Sequence, residues 1–309
     1  MDFVRNKNMK PLIVIVGTTA SGKSGCALEI AKKFNGVIVN VDSRQMYREL
    51  QIGTAKPVFD RVENGVGYVD DVAHYLYEEL SPNVRGSVSE YQRRAFEVID
   101  EIHAQGKVPI LVGGTGYYVQ AVVDNMQYSN VEIDESVRNE LGEMSLEDLC
   151  EKLKKLDVGV YERTQLENKR KVIRAIERVI FGQDDVVAGE KLYEILQIGL
   201  KVDRDVLIDR INRRVVEMID DGLVGEITGL IDRHGEQIPA LDSIGYKEVV
   251  SLLRGEIDEK QVVEDIQIHT RQYAKRQKTW FSRDDRIEWI KSCADIRDTV
   301  HSFLLNLVK

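Results

Sequence analysis

Nothing in this chain is long and apolar enough to span a bilayer: runs such as Leu12–Val16 stop far short of the roughly 20 residues a membrane helix needs. The first eight residues mix polar and charged groups and lead into no apolar segment of signal-peptide length, so a cytoplasmic address is expected. Cysteine is scarce. Cys26, Cys150 and Cys293 are odd in number, far apart and without a CxxC pair, which argues against a disulfide framework or zinc site and leaves them read as reduced thiols. The five histidines are equally scattered, so no metal cage is visible. There are only five prolines in 309 residues, no low-complexity segment and no repeat. A net charge of −9 argues against a protein that coats nucleic acid indiscriminately. Basic clusters at Lys169–Lys171 with Arg174 and Arg178, at Arg210, Arg213 and Arg214, and from Arg271 to Lys278 leave room for one specific RNA. Each of them alone reads better as a solvated helix face.

What is present is an alternation of short β-rich runs and helical patterns over residues 11–112, the signature of parallel α/β architecture. Leu12–Val16, Val37–Val41, Val108–Val112 and, much later, Glu194–Val202 read as strands. Ala27, Ile30, Ala31 and Phe34 form the apolar stripe of a first helix, and a second runs around Val88–Ala104. Residues 126–188 differ: rich in Glu, Lys, Arg and Leu, with helical spacing at Leu146, Leu149, Leu153 and Leu156 and no convincing strand. They read as a helical insertion in a core made of 9–125 plus 189–309. Helical patterns return at Asp205–Asp221, Val224–Arg233, Tyr246–Arg254 and Lys260 to about Phe281.

Between the first strand and the first helix stands Gly17-Thr18-Thr19-Ala20-Ser21-Gly22-Lys23-Ser24, a match to G-x-x-x-x-G-K-[ST] in the strand–helix context that the motif requires. The glycines let backbone amides close on phosphate oxygens, and the helix N-terminus adds partial positive charge. Lys23 supplies a mobile cation, and the Ser24 hydroxyl is suited to a magnesium ion arriving with the phosphates. The expected fold is therefore a P-loop NTPase-like parallel sheet with a mostly helical insertion and a helical C-terminal region. The loop alone does not say whether it holds ATP or another diphosphate. No Asn-Lys-x-Asp stretch and no apolar strand ending in Asp-Glu occurs, which points to a compact transferase.

Five further segments, in order, carry a resemblance: Asp42-Ser43-Arg44-Gln45-Met46-Tyr47; Ile52-Gly53-Thr54-Ala55-Lys56-Pro57; Val112-Gly113-Gly114-Thr115-Gly116; Ser243-Ile244-Gly245-Tyr246; and the run Thr270–Trp280. Together with the loop they resemble the tRNA dimethylallyltransferases, of the shorter bacterial type without a zinc finger, over most of the chain from Gly17 to Trp280. The resemblance implies transfer of a dimethylallyl group from dimethylallyl diphosphate to N6 of the adenosine 3′ of a tRNA anticodon, with diphosphate leaving and Mg2+ assisting. It implies Asp42 as the carboxylate that takes the amine proton, Lys23, Thr19 and Arg214 as groups at the diphosphate, and Ser24 as the metal-side hydroxyl. Alone, Asp42 reads equally as a turn or capping aspartate and Arg214 as a surface arginine. The implied RNA contacts are Asp42, Ser43, Arg44, Gln45, Thr115, Arg138, Arg170, Lys171, Val172, Ile173, Arg174 and the segment Asp242, Ser243, Ile244, Gly245, Tyr246 and Lys247. A monomer that binds the anticodon stem-loop and no membrane is expected.

The chain departs from the family pattern at Thr18, where proline is usual, and at Arg48–Gln51, Tyr75, Glu78, Gly86 and Glu167-Asn168. Three other readings remain open at this point: prenyl transfer to a free adenine nucleotide, an ATP-dependent small-molecule kinase, and a non-catalytic RNA-binding protein. The basic insertion argues against the first, and the Asp42 block against the second.

Overall fold

The computed structural model describes residues 9–128, 135–182 and 186–308. In chain order the elements are β1 (Pro11–Val16), α1 (Lys23–Lys33), β2 (Gly36–Asn40), β3 (Arg61–Glu63), β4 (Val66–Val69), β5 (Val72–Tyr75), α2 (Val88–Ala104), β6 (Val108–Gly113) and α3 (Gly116–Val123). The insertion follows with β7 (Met126–Gln127), α4 (Glu135–Glu143), α5 (Leu146–Leu156), α6 (Val158–Arg163), α7 (Lys169–Phe181) and β8 (Val187–Ala188). The chain then returns with β9 (Glu194–Leu200), α8 (Arg204–Asp220), α9 (Leu223–His234), a 3-10 turn (Pro239–Asp242), α10 (Tyr246–Leu253), α11 (Glu259–Phe281), β10 (Ile287–Ile290) and α12 (Cys293–Val308). It divides into two compact units, 1–125 with 190–309, and 126–189.

Among the described residues, eight strands form one sheet in the order β10-β9-β1-β6-β2-β5-β4-β3. The six from β10 to β5 run parallel, and β4 and β3 continue as an antiparallel edge. The central strand reads Pro-Leu-Ile-Val-Ile-Val with no polar residue because both its faces are covered. Leu12, Val14 and Val16 pack beneath α2 and α3 with Tyr91, Ile99, Val119 and Val122. Ile13 and Ile15 face α1 and α12, against Ala27, Ile30, Ile296 and Val300. The expected parallel α/β core is what forms. α8 to α11 build a third apolar cluster around Leu223, Ile227, Tyr246 and Val249.

Two sequence expectations need correction. Cys26 and Cys293 are disulfide-bonded rather than free: α12 packs beside α1 and brings Cα atoms 267 residues apart in sequence to 5.3 Å. No spacing rule anticipates that pairing, because it depends on where the last helix docks. The insertion is not strand-free either, since β7 and β8 pair as a two-residue antiparallel ladder. Its own core is Leu141, Leu149, Leu153, Val172, Ala175 and Ile176. Among the described residues no helix is long and apolar enough to cross a membrane.

Several departures from the family pattern have structural roles. Asn168 caps α7 by accepting from the Lys171 amide, and Ser87, after Gly86, caps α2 at Glu90. Gln51 donates from its side chain to the Lys56 carbonyl at 2.9 Å, and the Tyr75 hydroxyl reaches Glu101 at 3.3 Å.

Candidate active site

In an open parallel sheet, ligands gather outside the carboxyl ends of the strands. Three loops leave that edge side by side: Gly17–Ser24 after β1, Asp42–Gln45 after β2, and Gly114-Thr115 after β6. The first loop enters α1 through Gly22, whose φ of 93° is left-handed and strained for any residue with a Cβ. Lys23 folds back over the loop and donates to the Thr18 carbonyl at 3.3 Å. Burial pushes its ammonium down to about 8; Asp42 opposes the shift and Arg214 adds to it, so the three charges sense one another. Burial also lowers the Arg214 guanidinium, partly offset by Glu217. From α8, Arg210 braces the loop by donating to the Ser21 carbonyl at 3.3 Å.

The loop is latched from the far end of the sequence. Gln277 on α11 is buried; its side chain accepts from the Thr19 amide at 2.8 Å and donates to the Gly114 carbonyl at 2.9 Å. One amide group thus joins the phosphate loop to the loop after β6. Gly114 has to be glycine for this, since a Cβ there would run into the Gln277 amide. Gln277 lies within the run Thr270–Trp280, and nothing in its local sequence assigns it this role. Its signal was a glutamine in register with buried Ala274 and Phe281, on the apolar stripe of the helix.

A cavity of about 470 Å³ opens beside the loop, lined by Thr19, Asp42, Thr115, Arg214, Tyr273 and Arg276 among others. Asp42 is fixed by backbone and neighbours: its amide donates to Asn40 Oδ1 at 3.0 Å, and its own Oδ1 accepts from the Arg44 amide at 3.0 Å. Asn40 is buried and tied to the Leu76 carbonyl at 2.9 Å. Among the described residues nothing donates to Asp42 Oδ2, which leaves it able to take a proton. Thr115 accepts from the Ser43 amide at 3.0 Å, joining the β2 and β6 loops. Tyr273, in the same run Thr270–Trp280, has its hydroxyl raised by burial and by the Asp42 charge.

The predicted RNA-facing residues divide. Asp42, Ser43, Arg44, Thr115, Asp242, Ser243, Ile244, Gly245 and Lys247 all line this cavity. Gln45 does not; its side chain holds the next loop by donating to the Thr54 and Ala55 carbonyls at 3.0 and 3.2 Å. Tyr246 is fully buried and donates to Glu226 at 2.5 Å, so it offers no surface to a ligand. Glu226 in turn accepts from the amides of Gln51, Ile52 and Gly53 at 3.1, 2.7 and 3.4 Å, holding the loop whose Gly53, Thr54 and Ala55 line the cavity.

In the insertion, Val172 is buried in the unit's core and offers RNA no side-chain surface, whereas Ile173 is half-buried and packs against that core. Arg170, Lys171 and Arg174 are exposed on α7, with Lys171 bonded to Gln165. Arg138 grips the buried Glu177 with two hydrogen bonds, 2.7 and 3.0 Å, and Arg174 reaches the same carboxylate at 3.3 Å.

Among the described residues no three His, Cys, Asp or Glu side chains converge as a metal cage. The Ser24 hydroxyl, exposed in the first turn of α1, is a hard oxygen donor beside the anion loop. The residues therefore fit a magnesium ion brought in by phosphate oxygens, not one caged by protein alone.

A protein-family model described as IPP transferase matches residues 45–284. The chain is 38% identical over 305 residues to a tRNA dimethylallyltransferase of Oceanobacillus iheyensis, covering 96% of this chain and 95% of that one. Its fold is similar to a full-length tRNA isopentenylpyrophosphate transferase of Bacillus halodurans, with TM-score 0.73, 34% identity and coverage of 97% and 98%. A eukaryotic dimethylallyltransferase acting on tRNA shares the fold at TM-score 0.74 with 24% identity, over 91% of this chain and 74% of that one.

Proposed function

This chain belongs to the IPP transferase family, and from that membership we propose that it moves a dimethylallyl group from dimethylallyl diphosphate to N6 of the adenosine 3′-adjacent to a tRNA anticodon, releasing diphosphate. One observation carries the reading. A carboxylate with an open oxygen, Asp42, shares a cavity with Arg214 and with Thr19 of a phosphate loop whose lysine senses both charges.

The chemistry follows from that placement. The C–O bond of the allylic diphosphate breaks, its electron pair stays with the diphosphate oxygen, and the N6 lone pair forms the new C–N bond. Negative charge grows on the leaving group, where Lys23, the loop amides and Arg214 face it. Held by Ser24 and the diphosphate oxygens, magnesium would neutralise part of the same charge. The amine loses its proton as it bonds to carbon, and Asp42 Oδ2 takes it. Thr115 fixes the loop that presents Asp42. The adenosine has to leave its stack to enter a cavity of this kind, which favours an unpaired loop base over a duplex. Arg170 and Lys171 of the insertion are the cations available to the stem-loop backbone.

The test is direct. Purified protein is incubated with labelled dimethylallyl diphosphate, magnesium and an anticodon stem-loop bearing the target adenosine, with AMP and ATP in parallel arms. Label on the RNA adenosine, and none on AMP, is expected. Absence of label on RNA beside an active control enzyme would overturn the proposal.

A further inference from the structure

Beyond the catalytic cavity, the end of α11 presents two large aromatics to solvent. Trp280 and Tyr117 are each 40% exposed and meet edge to face, with ring centroids 6.3 Å apart and planes at 76°. Lone exposed aromatics need no explanation, but this pair is seated. The Trp280 indole lies over Gly116, where any Cβ would enter the ring, and the next residue, Phe281, is buried in the sheet core. The rings are thus held at fixed positions with faces still open.

Their place in the fold ties them to the reaction. Gly116 directly follows Thr115, which lines the catalytic cavity. Along α11, Tyr273 and Arg276 line that cavity, and Trp280 falls on the same helical side, about 10 Å and about 6 Å further on. That is about the reach of one neighbouring nucleotide in an unstacked strand.

The charge around the rings is mainly positive: of the carboxylates that line the recess beside Trp280, Asp285 alone is without an ion pair among the described residues. Lys275, Arg276, Lys278 and Arg283 are exposed, and among the described residues none of them forms an ion pair. Asp124 and Asp284, which line the small recess beside Trp280, are both taken by Arg286, at 2.7 Å each. Open aromatic faces flanked by uncompensated cations suit a flexible polyanion that carries planar groups, which is single-stranded RNA.

We propose that Tyr117 and Trp280 form a stacking platform for an unpaired nucleotide adjacent to the one in the catalytic cavity, with Lys278 and Arg283 on its phosphates. The proposal rests on the prenyl-transfer reading, and its test separates the two. The chain has two tryptophans. In a Trp289→Phe background, Trp280 is the sole indole, and its emission is titrated with unmodified anticodon stem-loop RNA. Quenching is expected, saturating over the range in which fluorescence anisotropy of a labelled stem-loop reports binding. Trp280→Ala and, as a second variant at an already exposed position, Tyr117→Ala should each raise KM for the stem-loop roughly ten-fold without raising KM for dimethylallyl diphosphate. Trp280→Phe should recover most of the loss. If the RNA binds and is prenylated while the indole emission and both KM values stay as in the parent, the platform is refuted and the transfer reading stands. If no RNA is prenylated, the transfer reading fails, and the emission titration still decides the platform.

Discussion

Replacing Gln277 with alanine probes the latch between the phosphate loop and the rest of the site. The side chain satisfies two backbone groups, the Thr19 amide and the Gly114 carbonyl, at 2.8 and 2.9 Å. Each buried group left without a partner costs about 1–3 kcal/mol, and some relaxation toward the adjacent cavity reduces the sum. A net loss of about 2–4 kcal/mol is expected, which for a chain of this size is a fall of roughly 3–6 °C in Tm. The functional signature is a raised KM for dimethylallyl diphosphate, because the released Thr19 amide no longer has a fixed position. A double-mutant cycle isolates the contact. Gly114→Ala alone drives a methyl group into the Gln277 amide, whereas in the Gln277→Ala background the methyl has room. The two effects should fall short of additivity by about 0.5–3 kcal/mol. Thermal unfolding and initial-rate kinetics on the four proteins measure both quantities. Additive losses with an unchanged donor KM would refute the latch.

Three other perturbations have signed outcomes. Lys23 sits at about 8 against an ordinary 10.5, so kcat/KM for the donor should fall as pH rises through about 8, while the bound diphosphate moves the limb in kcat higher; a profile flat from pH 7 to 10 contradicts this. The same depression means that the unfolded chain holds more protons than the folded one between those values, so this group's contribution to stability rises with pH across that window. Asp42→Asn keeps an oxygen for the Arg44 amide but loses the base, and kcat should drop about 10²- to 10⁴-fold with donor affinity retained; measurable transfer at near-parent rates removes Asp42 from the chemistry. Glu226→Gln turns a side-chain amino group toward the amides of Gln51–Gly53 and should cost about 2–3 kcal/mol in thermal unfolding, with KM for RNA rising as the cavity-lining loop loosens; equal stability would show that the loop holds itself.

The central sheet was legible because its strands are continuous apolar runs, and the phosphate loop because its spacing is dictated by backbone geometry. The edge was not. β3 has all three residues exposed, and β5 and β10 have four residues each, so no period-2 pattern develops. α3 reads Gly-Tyr-Tyr-Val-Gln-Ala-Val-Val, apolar enough on all sides to pass for a strand. Within the site, Asp42, Thr115 and Arg214 were named before the fold placed them around one cavity. Gln277, Glu226 and Glu177 were not, since each is a polar residue with a defining partner far away in the chain, Gly114, Ile52 and Arg138 in turn. Nothing local separates such a residue from a solvated one. Tyr246 and Val172 show the opposite limit: each stands in a motif expected to face RNA, yet its side chain is fully buried.

The carboxylate of Glu177 also bears on how the protein responds to salt. Two guanidiniums, Arg138 and Arg174, share its single negative charge, so between them they present one uncompensated positive charge. A cation that meets RNA only after parting from an internal partner displaces fewer condensed counterions than a free one. The basic face of the insertion should then contribute a shallower slope of log K against log salt than its count of cations suggests, about one charge fewer than Arg138, Arg170, Lys171 and Arg174 would give if all were free. An acidic protein built in this way would hold one RNA across a wider range of ionic strength than a freely basic one, while gaining little affinity for nucleic acid in general.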